Sequence, residues 1–266
     1  MATVAVVSMK GGVGKTTIAL GLASAAWHRQ DRCLVIDLDP QANATAALDV
    51  LEPSLTISDV LADGRPGIAQ QAVMPSGWGS GVHLIAAEPA LEHRQVPIGA
   101  HSALRLRTTL ASLPRSYDLV IIDTPPSLGE LTRNALSAAD LAIIVTEPGY
   151  FALRGAAQAA AAVEVIREAT NPRLRLDSIV VNRRHEHMHE HALRIAELRE
   201  RFANQVNPLM IPDDVVMSQV QGAGIPLHAW SSPSARTLQA LFDDMLDGIG
   251  SAGLPPDPSR EIGGQG

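Results

Sequence analysis

Short runs of consecutive aliphatic and β-branched residues alternate along this chain with longer segments whose apolar positions recur every three to four residues. The runs at 3–8, 33–38, 119–123, 141–146, 178–182 and 209–211, with a weaker one at 82–86, predict buried strands. The segments at 15–29, 103–113, 128–138, 153–169, 192–202 and 235–249 predict helices between them. Strands without a polar alternation are buried on both faces, so the expected fold is α/β, a mostly parallel twisted sheet with helices on both faces. No fixed-period repeat is present. The alanine-rich stretch 156–162 reads as a packed helix, and the Gly/Ser-rich segment 75–81 as a surface loop. One domain over 1–250 is expected, followed by a Pro/Gly-rich tail over 251–266 without fixed structure.

Composition narrows the class. A chain of 266 residues buries roughly 70–75% of its unfolded surface and needs no covalent or metal staple. Cys33 is the only cysteine, which excludes an internal disulfide framework and a cysteine-held iron–sulfur cluster within one chain, and suits a reducing cytoplasm. No apolar run reaches the roughly 18–20 residues of a membrane span, and residues 1–8 read as a first strand, not a signal peptide. The net charge is −7, so binding to nucleic acid requires a local basic patch. Of 21 basic residues only Lys10 and Lys15 are lysines. Two lysines five residues apart in such an arginine-rich chain are not generic surface charge.

Both lie in Lys10-Gly11-Gly12-Val13-Gly14-Lys15-Thr16-Thr17, which follows one predicted strand and opens a helix. That is the setting of a P-loop, where inward-turned backbone N–H groups and a helix N-terminus surround phosphate oxygens. Lys15 is expected to reach the β- and γ-phosphates, Thr16 to ligate Mg²⁺, and Thr17 to donate to the α-phosphate. Met9 occupies the position where the usual pattern has its first glycine, and Lys10 is additional. Asp123 ends an apolar strand, where its carboxylate can hold Mg²⁺ directly or through water. Asp37 and Asp39 end another strand and share a face by alternation. Asn182 ends a third, with an amide able to donate to and accept from an adenine edge.

The loop, the segment Leu34-Val35-Ile36-Asp37-Leu38-Asp39-Pro40-Gln41-Ala42-Asn43, residues 119–126, residues 148–155 and the pair Ile211-Pro212 together resemble the ParA/MinD family of deviant Walker A ATPases. The resemblance spans about residues 2–250, its nearest likeness being to Soj-like partitioning ATPases. It implies a P-loop NTPase fold, ATP/ADP and Mg²⁺ as cofactors, and slow hydrolysis stimulated by a ParB-like partner. It implies a homodimer when ATP is bound, in which Lys10 of one protomer contacts phosphates held by the other. It further implies that Asp39 orients or activates the attacking water, that Asp37 supports the Mg²⁺ water shell, and that Pro212 and Asp214 lie against the base. Here Asp213 and Asp214 replace an Arg-Asn pair frequent in that loop, which favours a Pro212 or backbone contact.

The implied role is partitioning or positioning of DNA, in the cytoplasm and at the nucleoid if DNA is bound. An orphan ATPase positioning a protein cargo is the alternative. A MinD-like division regulator is disfavoured because residues 254–258, Leu-Pro-Pro-Asp-Pro, cannot form an amphipathic anchor. A cluster reductase or cofactor-synthesis enzyme needs more than Cys33, and no helix-turn-helix extension precedes the first strand. A non-specific DNA patch is expected at Arg183, Arg184 and Arg194, with Arg199 and Arg201, opposed by Glu186, Glu190, Glu197 and Glu200. His185, His187, His189 and His191 form either a solvated loop or, by i,i+4 pairing on a helix, a Zn²⁺ site.

Overall fold

A computed structural model describes residues 2–50, 52–97, 99, 101–111, 113 and 116–251. The elements in chain order are β1 (Ala2–Val7), α1 (Lys15–His28), β2 (Cys33–Asp37), α2 (Asn43–Ala47), α3 (Ile57–Asp63), α4 (Ile68–Ala72), β3 (Met74–Pro75) and β4 (Val82–Ile85). They continue with α5 (Arg105–Leu110), β5 (Leu119–Asp123), α6 (Glu130–Ala138), β6 (Leu141–Thr146), α7 (Ala152–Ala169), β7 (Arg175–Val181), α8 (His189–Phe202), α9 (Val215–Ala223) and α10 (Pro233–Ser251). Among the described residues the strands form one sheet in the order β3-β4-β2-β5-β1-β6-β7. Every pairing is parallel except β3 with β4.

Every residue of β1, β2, β5 and β6 is buried, as unbroken aliphatic runs demand. Alternation then divides the core. Val4, Val6, Ile121 and Ile143 face the layer of α1 and α10, while Ala5, Val7, Ile122 and Ile144 face the layer of α3, α6, α7 and α8. β1 lies between β5 and β6, so the loop that leaves its C-terminal end emerges beside Asp123 and, one strand further, Asp37. The crevice at the carboxyl ends of parallel strands is where such sheets bind ligands.

Several expectations need correction. Residues 209–211 form no strand; Ile211 donates to Val181 O (3.0 Å) and accepts from Arg184 N–H (3.0 Å), a short tether beside β7. The segment 75–81 is not wholly surface, because Pro75 belongs to β3 and Ser76 and Trp78 are buried. A proline suits that edge strand. The helix expected at 192–202 starts earlier, at His189, and the one at 103–113 divides into a 3₁₀ turn at Ser102–Leu104 and α5. The short helices α2, α3, α4 and α9 were not predicted. They span five to nine residues, too few for periodicity to declare them. Capping chemistry marks two of them: Thr56 and Asp59 form a capping box on α3, and Asp214 accepts from Val216 N–H at the start of α9. Ser251 closes α10, so the expected tail begins within a helix and residues 252–266 lie outside the described residues.

α1 is buried nearly all round and meets α10 across Gly21. A Cβ built there falls 2.2 Å from Cε1 and Cζ of Phe242, itself fully buried. In an exposed helix, Gly→Ala gains about 1 kcal/mol. Here overpacking reverses the sign, and Gly21→Ala is expected to destabilise the fold by roughly 1–3 kcal/mol. Denaturant unfolding of Gly21→Ala, alone and with Phe242→Leu, checks this; the second change should recover part of the loss.

Candidate functional site

The loop between β1 and α1 turns on two glycines with positive φ, Gly12 (78°) and Gly14 (91°). Gly14 is constrained twice. Its backbone is left-handed, and a Cβ there would lie 2.1 Å from Asn182 Nδ2. The amide of Asn182 donates to Val13 O (2.8 Å), so β7 fastens the loop from the side. Gly14 provides no side-chain cap for α1, which leaves the first N–H groups of that helix directed at the loop's interior and open to an anion.

Lys15 follows at once and is buried. Burial pulls its ammonium pKa down, while Asp123 and Asp39 hold it up. Thr16 donates its hydroxyl to Asp123 Oδ2 at 2.6 Å. Thr17 accepts from the Gln221 side chain of α9 (3.3 Å), which ties the helix start to the far wall of the crevice.

The carboxylates differ in their surroundings. Asp37 is in register with Asp123 on adjacent strands, and both are fully buried. Asp123 is pushed up to about 8, chiefly by burial and then by the Asp37 charge, against the Thr16 hydrogen bond and Lys15. Asp37 is pushed up to about 6 by burial, opposed by the donors that surround it. Its Oδ2 accepts from Thr45 N–H and Thr45 Oγ1 (both 2.8 Å), and its Oδ1 from Asp39 N–H (3.0 Å). Asp39 accepts from Gln41 N–H through Oδ1 (3.0 Å), a local turn that fixes the carboxylate just beyond β2.

Three buried carboxylates with one lysine leave an excess of negative charge. Asp123 Oδ1, buried and without a hydrogen-bond partner, is the atom that expresses it. An oxygen-seeking divalent cation fits this donor set, because it satisfies the orphaned oxygen and reverses the rise in pKa. Asp37 thus also organises the Asp39 turn and the start of α2.

The second lysine behaves differently. Lys10 is 64% exposed and reaches Glu147 Oε2 at 3.2 Å. Glu147 also receives Arg183 Nη1 (2.8 Å), and the same nitrogen donates to Gly12 O (2.6 Å). Nothing in the sequence analysis singled out Glu147, although its place immediately after β6 parallels that of the other strand-end acids.

Beyond Thr17 lies a cavity of about 280 Å³ lined by Asn182, Arg183, Pro212, Asp213, Asp214 and Gln221 among others. The structure therefore brings Asn182, Pro212 and Asp214 together at one wall, with Asp214 capping α9 through its side chain. Of the arginines expected as a DNA patch, Arg183 and Arg194 are already ion-paired. Arg183 turns into the loop, and Arg194 is paired with Glu190 (2.7 Å) and Glu197 (2.9 Å). Arg184 is half-buried, while Arg199 and Arg201 are exposed. Of the histidines, only His185 and His191 approach each other: their rings lie 5.3 Å apart and His185 N–H donates to His191 Nδ1 (3.0 Å), while His185 also faces Asp213 (3.2 Å) and His187 and His189 are exposed. Among the described residues no preassembled group of three or more His, Cys, Asp or Glu side chains is found in this run. No described helix is long and apolar enough to cross a membrane.

A family model described as an AAA domain matches residues 1–176. The chromosome-partitioning ATPase Soj of Thermus thermophilus is 36% identical over 251 residues, covering 91% of this chain and 94% of that protein. The chromosome partitioning protein ParA of Myxococcus xanthus is 32% identical over 261 residues, covering 96% and 90%. Among solved structures, cobyrinic acid a,c-diamide synthase of Mycobacterium smegmatis with bound ADP and magnesium is 26% identical, covers 96% of this chain and 98% of its own, and superposes with a TM-score of 0.76. Near-complete coverage in both directions joins these likenesses to the loop and acidic crevice just described, and the chain belongs to the ParA/MinD family of deviant Walker A P-loop proteins as a ParA-like ATPase.

Proposed function

We propose that this ATPase works as an ATP-dependent sandwich dimer that partitions or positions DNA together with a ParB-like activator. The contrast between its two lysines carries this reading. Lys15 is buried against its own acidic crevice, while Lys10 stands at the rim with most of its surface in solvent. A charge so placed contributes little to nucleotide held by its own chain and is available to phosphates presented by a second copy.

Within one protomer, the N–H groups of Gly11, Gly12, Val13 and Gly14 and the start of α1 wrap the phosphates, and Lys15 neutralises them. Thr17 adds a hydroxyl donor, and Asn182, Pro212 and Asp214 border the base. Thr16, Asp37 and Asp123 are the residues that would hold Mg²⁺, and the ion would supply neutralisation of phosphate charge. Asp39 orients the attacking water. DNA as cargo is supported by the likeness to the chromosome-partitioning proteins Soj and ParA, matched over 94% and 90% of their lengths.

Lys10→Ala is expected to leave ATP binding by the single chain largely intact while abolishing ATP-induced dimerisation. Calorimetry and light scattering on the same samples test it. Dimers that still form with ATP would show that Lys10 acts within its own protomer. A second reading, a ParA-like ATPase with a protein cargo, is favoured by the engagement of Arg183 and Arg194 in ion pairs. Titrating DNA into the ATP-bound dimer at two salt concentrations separates the two readings: phosphate contacts from Arg184, Arg199 and Arg201 give binding that falls steeply with salt, and a protein cargo gives none.

A further inference from the structure

Three neighbouring strands of the sheet, β1, β6 and β7, are followed past their carboxyl ends by alternating charge: Lys10, Glu147 and Arg183. Register sets these side by side. Val7 pairs with Ile144, so Lys10 and Glu147 stand equally far beyond the paired strands, and Thr146, just before Glu147, pairs with Val181, just before Asn182 and Arg183. Glu147 divides its oxygens between the two cations: Oε1 accepts from Arg183 Nη1 (2.8 Å) and Oε2 from Lys10 Nζ (3.2 Å). The cations are not held alike. Arg183 is anchored twice, since the nitrogen that meets Glu147 also donates to Gly12 O (2.6 Å), and its backbone is fixed in the left-handed region (φ 54°), uncommon for a residue other than glycine. The Lys10 ammonium meets Glu147 alone among the described residues.

A lysine is a point charge on a flexible stem and changes partners with little geometric demand. When Lys10 leaves, Glu147 keeps Arg183, so the carboxylate is not left bare. That is the construction of a releasable contact. We infer that Glu147 is a positioning residue that retains Lys10 on its own protomer, and so opposes dimerisation until phosphates held by a second copy outcompete the carboxylate. The inference rests on the proposed sandwich dimer, in which Lys10 crosses to the partner's nucleotide, and adds to it a contact that must open first. An ion pair this exposed is worth about threefold in an equilibrium. Two such contacts open per dimer, one from each copy, so their effects multiply to roughly tenfold in the dimerisation constant.

The test compares the full chain with Glu147→Gln, which keeps the size of the side chain and an oxygen for Arg183 but removes the charge that Lys10 meets. Sedimentation with ATP and Mg²⁺ over a range of protein concentrations should give a dimer roughly tenfold tighter for Glu147→Gln, and the gap should close as salt screens the wild-type pair. The contact itself is read separately, in the nucleotide-free chain. Lys10 and Lys15 are the only lysines, so a ¹³C-lysine-labelled sample gives one set of side-chain signals for each. Glu147→Gln should shift the Lys10 signals and leave those of buried Lys15 in place, which also reports an intact loop; added salt should move the wild-type Lys10 signals the same way. Lys10 signals indifferent to both changes, or a dimer no tighter in Glu147→Gln while wild type dimerises with ATP, overturn the inference and leave the sandwich dimer standing. Absence of an ATP-dependent dimer from wild type and variant alike overturns the dimer reading, and this inference with it.

Discussion

Lys15→Ala is expected to abolish nucleotide binding in a correctly folded protein. Lys15 is buried at the start of α1, between the loop glycines and the carboxylates of Asp123 and Asp39. Burial lowers its pKa and the two acids oppose that fall, at the place where phosphate charge must be neutralised. Removing it leaves buried carboxylates with no cation on the lysine side, and a triphosphate would then enter a crevice of its own sign. Loss of one partner from a buried charge pair costs about 3–5 kcal/mol, which corresponds to a weakening of at least a hundredfold. No other lysine can substitute, since Lys10 is turned to Glu147 at the rim. Calorimetry with ATP and Mg²⁺ reads the effect, and an affinity within threefold of wild type would overturn the assignment of the phosphate loop.

The sheet was legible because its central strands are buried on both faces. Residues 119–123 and 141–146 have the predicted bounds, and β1 and β2 differ by one residue at their ends. An unbroken aliphatic run between polar flanks leaves little freedom of interpretation. Helices α2, α3, α4 and α9 were hidden for the opposite reason: short segments are helical through caps and tertiary contacts, and carry no face of their own to read. The tether at 209–212 misled because burial against β7 selects the same residues, Met210 and Ile211, that a strand would.

The acidic crevice was legible in kind and not in detail. Strand-end position located Asp37, Asp39 and Asp123, but not the Thr45 hydroxyl that engages Asp37, since a residue on a short helix eight positions away leaves no local pattern. Charge partners were visible only where they are local: the glutamates beside Arg194 on α8 showed as opposing charge, while only the fold brings Glu147 against Arg183.

Asp39→Ala is the companion to Lys15→Ala and should separate binding from chemistry. Asp39 lies just past β2, held by Gln41 N–H on one carboxylate oxygen and by its own N–H on Asp37. This places a fixed acceptor at the mouth of the crevice without making it a partner of Thr16 or Asp123, which hydrogen-bond to each other independently. Truncation therefore removes the group that orients water while the loop, Lys15 and the Thr16–Asp123 pair remain. The expected loss in hydrolysis is roughly 10²–10⁴-fold, with ATP and Mg²⁺ affinity retained. Removing one of three buried negative charges even favours the triphosphate, so affinity should hold or rise. Single-turnover hydrolysis measures the first effect and calorimetry the second. A rate near wild type would take Asp39 out of the mechanism. A joint collapse of rate and affinity would make it part of the binding apparatus, and Asp39→Asn distinguishes that case: it keeps the turn through its side-chain oxygen but lacks the charge, so it should bind as Asp39→Ala does and hydrolyse as slowly.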